Sequence, residues 1–182
     1  MSIQLTNDRR EEIKRMIVDL FCDLNIHCVP ISGFEIATKL GATVMPYSSQ
    51  EEKIRMQMMK ISEDGFTIQR KEKRVIFYND DRVYGRINNT ITHECGHIVM
   101  DHLETSELAE AEAKFFAKYA LAPPPLVHQL GLKDPYEIMA RFDISLEAAF
   151  YAYNYYKKWL NYGGECYKAY ERRLIRQFDS VM

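Results

Sequence analysis

Three short β-type runs sit in a chain whose other apolar residues recur every three to four positions. That contrast limits the fold more than any other feature. The runs are 42–47 (ATVMPY), 66–70 (FTIQR) and 74–78 (RVIFY). Strands alternate with a period of two and helices repeat with a period near 3.6, so the two patterns are separable by eye. The last two runs are separated by Lys71-Glu72-Lys73, a hairpin signal, and the Asp64-Gly65 pair marks the turn before them. Pro46 puts the first run at a sheet edge or a strand end. From Arg82 onward the pattern is helical and stays so. The expectation is an α+β fold with a small antiparallel sheet of about three strands in the first half.

Helices are expected over 9–24, 32–40, 50–60, 82–102, 106–121, 134–142, 145–160 and 165–178. The first carries Ile13, Met16, Ile17, Leu20, Phe21 and Leu24 on one face. Asp8 with Glu11, Ser32 with Glu35, and Ser49 with Glu52 read as capping boxes. Gly41 stands where a helix ends, and Pro123-Pro124-Pro125 stops the helix before it.

Composition removes several function classes. With 24 Lys and Arg against 26 Asp and Glu the formal charge is −2, which argues against a strongly basic nucleic-acid binder. No run approaches the roughly 18 apolar residues a membrane span needs. The charged start, MSIQLTNDRREEIKRM, lacks the apolar stretch of a signal peptide, so a cytoplasmic location is expected. Cys22, Cys28, Cys95 and Cys166 form no CxxC pair and read as free thiols in a reducing compartment.

Chemistry concentrates in His93-Glu94-Cys95-Gly96-His97, an HExxH motif. On a helix, residues four apart share a face, so two imidazoles can point at one ion, and Zn²⁺ accepts nitrogen ligands at about 2.0–2.1 Å. Glu94 lies beside that face, placed to take a proton from a water rather than to bind the metal. Gly96 costs roughly 1 kcal/mol of helix propensity, so its presence implies that another element packs closely there.

A third protein ligand is required, and the acids downstream are Asp101, Glu104, Glu107, Glu110 and Glu112. On the 106–121 helix, Ala109, Ala113, Phe116, Ala117 and Ala120 form the apolar face. Glu110 lies at one border and Glu112 at the other, and geometry favours Glu110 only weakly. Asp101, four residues beyond His97, and His102 have two readings: support for a ligand ring, or solvated residues at a helix end. Tyr119, Tyr84 and His128 are candidates for an oxyanion donor.

The string THECGHIVMDH, followed by EAEAKFFAKYALAP, resembles the ImmA/IrrE family of zinc metallopeptidases. Members show an HExxH helix, then Glu-x-Glu/Gln-Ala, then Phe-Ala and a terminal Pro. Glu110-Ala111-Glu112-Ala113, Phe116-Ala117 and Pro123 match. The upstream ISEDGFTIQ, VIFYN and RVYGRINNTIT look like the family's run into its active-site helix. The resemblance covers about 10–125 and implies a minimal zincin-like core with one Zn²⁺ per chain. It places Glu110 as third ligand and Glu94 as general base. It also implies a protein substrate, a transcriptional repressor of a mobile element or prophage. Lys114 departs from the pattern, where an Asn or Asp usually stands. That departure motivates an alternative: a zincin-fold protein that binds a repressor or toxin partner without cutting it. An edge strand is expected to take substrate backbone, with 74–78 as the candidate.

The remainder, 126–182, reads as a helical extension packed on the core or forming a partner interface. Its aromatic residues include Phe150, Tyr151, Tyr155, Tyr156, Trp159 and Tyr170. The segment 138–146 has a helix-turn-helix look with Ser145 as N-cap, but the helix it opens has few basic or amide side chains. It is read as packing or gripping a partner rather than reading DNA.

Overall fold

The computed structural model describes residues 3–70, 73–104, 106–163 and 166–179. Lys71 and Glu72 of the expected hairpin turn lie outside the described residues, as does the expected start of the last helix at 165. The architecture is α+β. In chain order it runs α1 (Asn7–Asp23), α2 (Gly33–Lys39), β1 (Thr43–Pro46), a 3-10 turn (Tyr47–Ser49), α3 (Glu52–Ile61), β2 (Gly65–Arg70), β3 (Lys73–Tyr78) and α4 (Tyr84–Val99). It continues with α5 (Glu107–Leu121), α6 (Pro124–Gln129), α7 (Pro135–Phe142), α8 (Leu146–Asn161) and α9 (Ala169–Phe178).

The sheet has the order β1-β3-β2 and is mixed, not antiparallel throughout. β2 and β3 pair antiparallel from Gly65↔Tyr78 to Arg70↔Lys73, while β1 pairs parallel with β3 from Thr43↔Val75 to Pro46↔Tyr78. The hairpin binds β2 to one side of β3, so β1 takes the other side, where it runs in the same direction as β3. Pro46 sits at the end of this outer strand, where its missing N–H costs no ladder bond. The 74–78 run is therefore central and has no free edge for a peptide. The edge strands are β1 and β2.

Caps set several helix ends. Ser32 and Ser145 accept from the backbone N–H of Glu35 and Ala148 and start α2 and α8 as expected. Gly41 follows α2 with φ +76, a left-handed conformation that costs glycine nothing. Two ends differ from expectation. Thr6, not Asp8, caps α1 by accepting from Arg9 N. Ser49 Oγ donates to Pro46 O inside the 3-10 turn, so it opens no helix. The prolines after α5 do end it, but Pro124 also begins α6, because an N1 position has no intrahelical bond to lose.

One core joins both halves. Ile13, Ile17 and Phe21 of α1 are fully buried with Phe116 of α5, Leu126 of α6, Phe142 of α7 and Leu174 of α9. Each such side chain contributes about 1.5–3 kcal/mol. The α9 helix returns onto α1, with Phe178 edge-on to Phe21 at 5.8 Å and Lys168 paired with Glu11 at 2.7 Å. The C-terminal aromatics are largely used here: Tyr155 stands edge-on to Phe115, and Trp159 Nε1 donates to Glu171. No helix among the described residues is long and apolar enough to cross a membrane.

Candidate metal centre

The α4 helix holds the HExxH motif despite its β-branched start. Thr90 and Thr92 turn their hydroxyls back onto the carbonyls of Arg86 and Asn88, which satisfies both inside the helix. Buried Asn88 then clamps α2: its Oδ1 accepts from Gly33 N at 2.6 Å and its Nδ2 donates to Ile31 O at 3.0 Å. Gly33 lets α2 approach this closely, since a Cβ there would stand 2.6 Å from Thr92 Oγ1. Cys95 faces the same contact. It is fully buried, burial pushes its thiol up, and it packs against the Gly33 carbonyl.

Gly96 lies on the opposite contact, where a Cβ would stand 3.1 Å from Phe116 Cγ. The close crossing of α4 and α5 brings Glu110 over the two histidines. His93 Nε2 and His97 Nε2 are 3.1 Å apart, and each is 3.4 Å from a carboxylate oxygen of Glu110. His93, His97 and Glu110 form the one group of this kind among the described residues. Ligands held tetrahedrally at about 2.0–2.1 Å from a zinc ion stand about 3.3 Å from one another. The observed triangle fits that spacing. Its chemistry fits too: burial and the facing His97 ring hold the His93 imidazole well below the ordinary range, which favours the neutral ring that presents a lone pair.

Glu94 points into the same cleft, is 8% exposed, and accepts a hydrogen bond from Thr67 Oγ1 at 2.7 Å. Burial pushes its carboxyl up and Glu110 adds to the effect, against the Thr67 hydrogen bond. The cleft, about 860 Å³, runs between α3, the open edge of β2, and α4, with Ile61 and Leu103 at its rim. A second groove continues past Glu110 and Lys114 and carries Arg10, Lys118 and Lys158.

Behind His97 the structure selects His102, not Asp101. The α4 helix ends in a Schellman motif, with His102 N donating to His97 O and Asp101 N to Ile98 O. Asp101 takes the left-handed position at φ 52 and faces solvent. The reversal lays His102 Nδ1 3.0 Å from His97 Nδ1. His102 Nε2 in turn stands 2.9 Å from Glu112 Oε2. Glu112 is buried, and Arg9 reaches it from α1 with Nε on Oε1 at 2.7 Å and Nη2 on Oε2 at 3.2 Å. The Arg9 hydrogen bonds outweigh burial and hold the Glu112 carboxyl below the usual range. Glu112 is thus engaged elsewhere and is not part of the ligand triangle. Arg9 carries no motif, and only its spacing on α1 could have hinted at it.

The three expected oxyanion donors lie away from this cleft. Tyr119 is buried on the far side of α5 near Tyr155, Tyr170 and Glu11. Tyr84 is at the exposed start of α4. His128 Nδ1 is bonded to the Tyr156 hydroxyl at 2.9 Å. Each was selected by residue type, and helix faces send them elsewhere.

A small mixed sheet beside an HExxH helix, with a glutamate from the next helix completing the triangle, defines the class: a zincin-like metallopeptidase fold. A sequence model of peptidase M78, described as the IrrE N-terminal-like domain, matches residues 38–154. The match covers more than half of the chain, and the chain belongs to this family, the ImmA/IrrE family of metallopeptidases. It extends past residue 125 into α8 and leaves α1 outside. No curated protein matches the chain significantly.

Proposed function

We propose that this chain is a zinc-dependent endopeptidase that cuts an extended segment of a protein substrate. By family likeness the substrate is a helix-turn-helix transcriptional repressor of a mobile element or prophage. The observation that carries this reading is the His93, His97 and Glu110 triangle opening beside a buried Glu94. A bound zinc ion supplies a Lewis acid, acidifying a water and polarising the scissile carbonyl. Glu94 takes the proton of the attacking water and returns it to the leaving amine. Its raised proton affinity suits that exchange. Thr67 fixes one Glu94 oxygen and leaves the other for the proton.

The open edge of β2 supports the mode of substrate binding. Gly65, Phe66, Thr67 and Gln69 line the cleft, so a peptide added to this edge passes the triangle. The second groove carries four basic residues against Glu107 and Glu110, an excess that favours acidic side chains. Arg10, Lys114, Lys118 and Lys158 have no acidic partner within 4.0 Å among the described residues. Lys114, the departure from the family pattern, lines both grooves. Replacing Glu94→Gln tests the reading: bound zinc is expected to stay, and cleavage of a peptide library to fall by about 10²–10⁴-fold. Cleavage at the wild-type rate would contradict it.

A further inference from the structure

Arg9 lies on α1, outside the segment that matches the family, yet its guanidinium ends a hydrogen-bonded chain that begins at His97. The inference rests on the metal-site reading above. If His97 presents the Nε2 lone pair to a cation, its Nδ1 carries the hydrogen and donates to His102 Nδ1, 3.0 Å away. His102 Nδ1 then has no hydrogen, so its Nε2 carries one and donates to Glu112 Oε2 at 2.9 Å. Glu112 accepts there and from Arg9 at 2.7 and 3.2 Å. Arginine has no acceptor, so the last link admits one polarity. A carboxylate receiving Arg9 is an acceptor toward His102, and through a neutral His102 that choice propagates back to His97. The opposite polarity would put the hydrogen on His97 Nε2 and remove its ligand lone pair.

We propose that Arg9 is a positioning residue for the metal centre: by orienting Glu112 it sets the tautomers of His102 and His97 and aims the His97 lone pair at the point shared with His93 and Glu110. The N-terminal helix is therefore an arm of the metal centre as well as a wall of the core. Thr6 contributes by capping α1 at the turn that carries Arg9. Arg9 is two links further out than His102, which touches the ligand ring directly, so the loss expected on removing it sits at the low end of the 10–100-fold range for outer partners, about 10-fold in zinc affinity.

The test compares Arg9→Ala, Arg9→Lys and Lys168→Ala with wild type in the full chain. Zinc affinity is measured by competition with a chelating indicator, and the visible spectrum is recorded with Co²⁺ in place of zinc. Lys168→Ala removes another anchor of α1, the pair with Glu11, and touches no link of the His97 chain. It controls for simple loosening of the helix. The expected result is about 10-fold weaker zinc binding and an altered Co²⁺ spectrum for Arg9→Ala. Arg9→Lys should recover part of the affinity, since an ammonium keeps the charge but not the fork. Lys168→Ala should keep wild-type affinity and spectrum. Unchanged affinity and spectrum in Arg9→Ala, or an equal loss in Lys168→Ala, would overturn the inference while leaving the metal site standing. A wild-type chain that binds no zinc would overturn both.

Discussion

Gly96 and Phe116 meet where α4 crosses α5, so close that a Cβ on the glycine would stand 3.1 Å from the ring carbon Cγ. Phe116 is fully buried and belongs to the helix that delivers Glu110. The crossing distance of the two helices therefore sets the size of the ligand triangle. Gly96→Ala gains about 1 kcal/mol of helix propensity but forces Phe116 outward by a few tenths of an ångström. The expected outcome is a fold of near-normal stability with weaker zinc binding, read by urea titration and chelator competition. Gly96→Val should go further and destabilise by about 1–3 kcal/mol.

Gly33 plays the equivalent part on the other side of α4. A methyl there would meet Thr92 Oγ1 at 2.6 Å and Asn88 O at 2.9 Å, neither of which is a flexible end. Gly33→Ala should cost about 1–3 kcal/mol in a urea melt. A variant as stable as wild type would mean that α2 is not pressed onto α4 in solution.

Glu11 joins α1 to α9. Burial would raise its carboxyl, but hydrogen bonds from Lys14, Lys168 and Tyr170 outweigh it and hold the group at about 2. A carboxyl depressed in the folded state stabilises above its unfolded value near 4.5 and loses that contribution as pH falls toward 2. Discounted for the exposed Lys168, the contribution is about 1–2 kcal/mol at neutral pH. Glu11→Gln should lower stability by that amount at pH 7 and flatten the loss of stability below pH 4.5. Urea melts across that range measure both.

The basic groove predicts a substrate bias. Lys118→Glu combined with Lys158→Glu should reduce kcat/KM for peptides with acidic residues about 10-fold, and less as salt is raised, because exposed charges are screened over about 10 Å at 0.1 M. Neutral peptides should be cut as before. Equal effects on both peptide sets would remove the groove from substrate recognition.

Much of this was legible in the sequence. Periodicity placed the helices, and Ser32, Ser145 and Gly41 marked ends because their side chains or φ act locally. HExxH and the Glu110 alignment pointed to the three residues that the fold brings together. What escaped depends on long-range packing or on where a helix stops. β1 sits beside β3 because the hairpin already fills the other side, and neither that place nor its parallel direction is recorded in the residues of β1. Spacing leaves Asp101 and His102 each open to two readings, support for His97 or a solvated helix end, and only the stop of the helix at Val99 separates them: Asp101 faces solvent and His102 takes the place beside His97. Arg9 and Glu112 lie 103 residues apart, so their pairing has no local signal.

The central claim is that His93, His97 and Glu110 hold one metal ion, and zinc stoichiometry tests it most directly. After dialysis against zinc and removal of the excess, the wild-type chain should retain about one equivalent, and Glu110→Ala should lose most of it while keeping its fold by circular dichroism. A wild-type chain that retains no zinc, or a Glu110→Ala variant that holds it as tightly as wild type, would contradict the account.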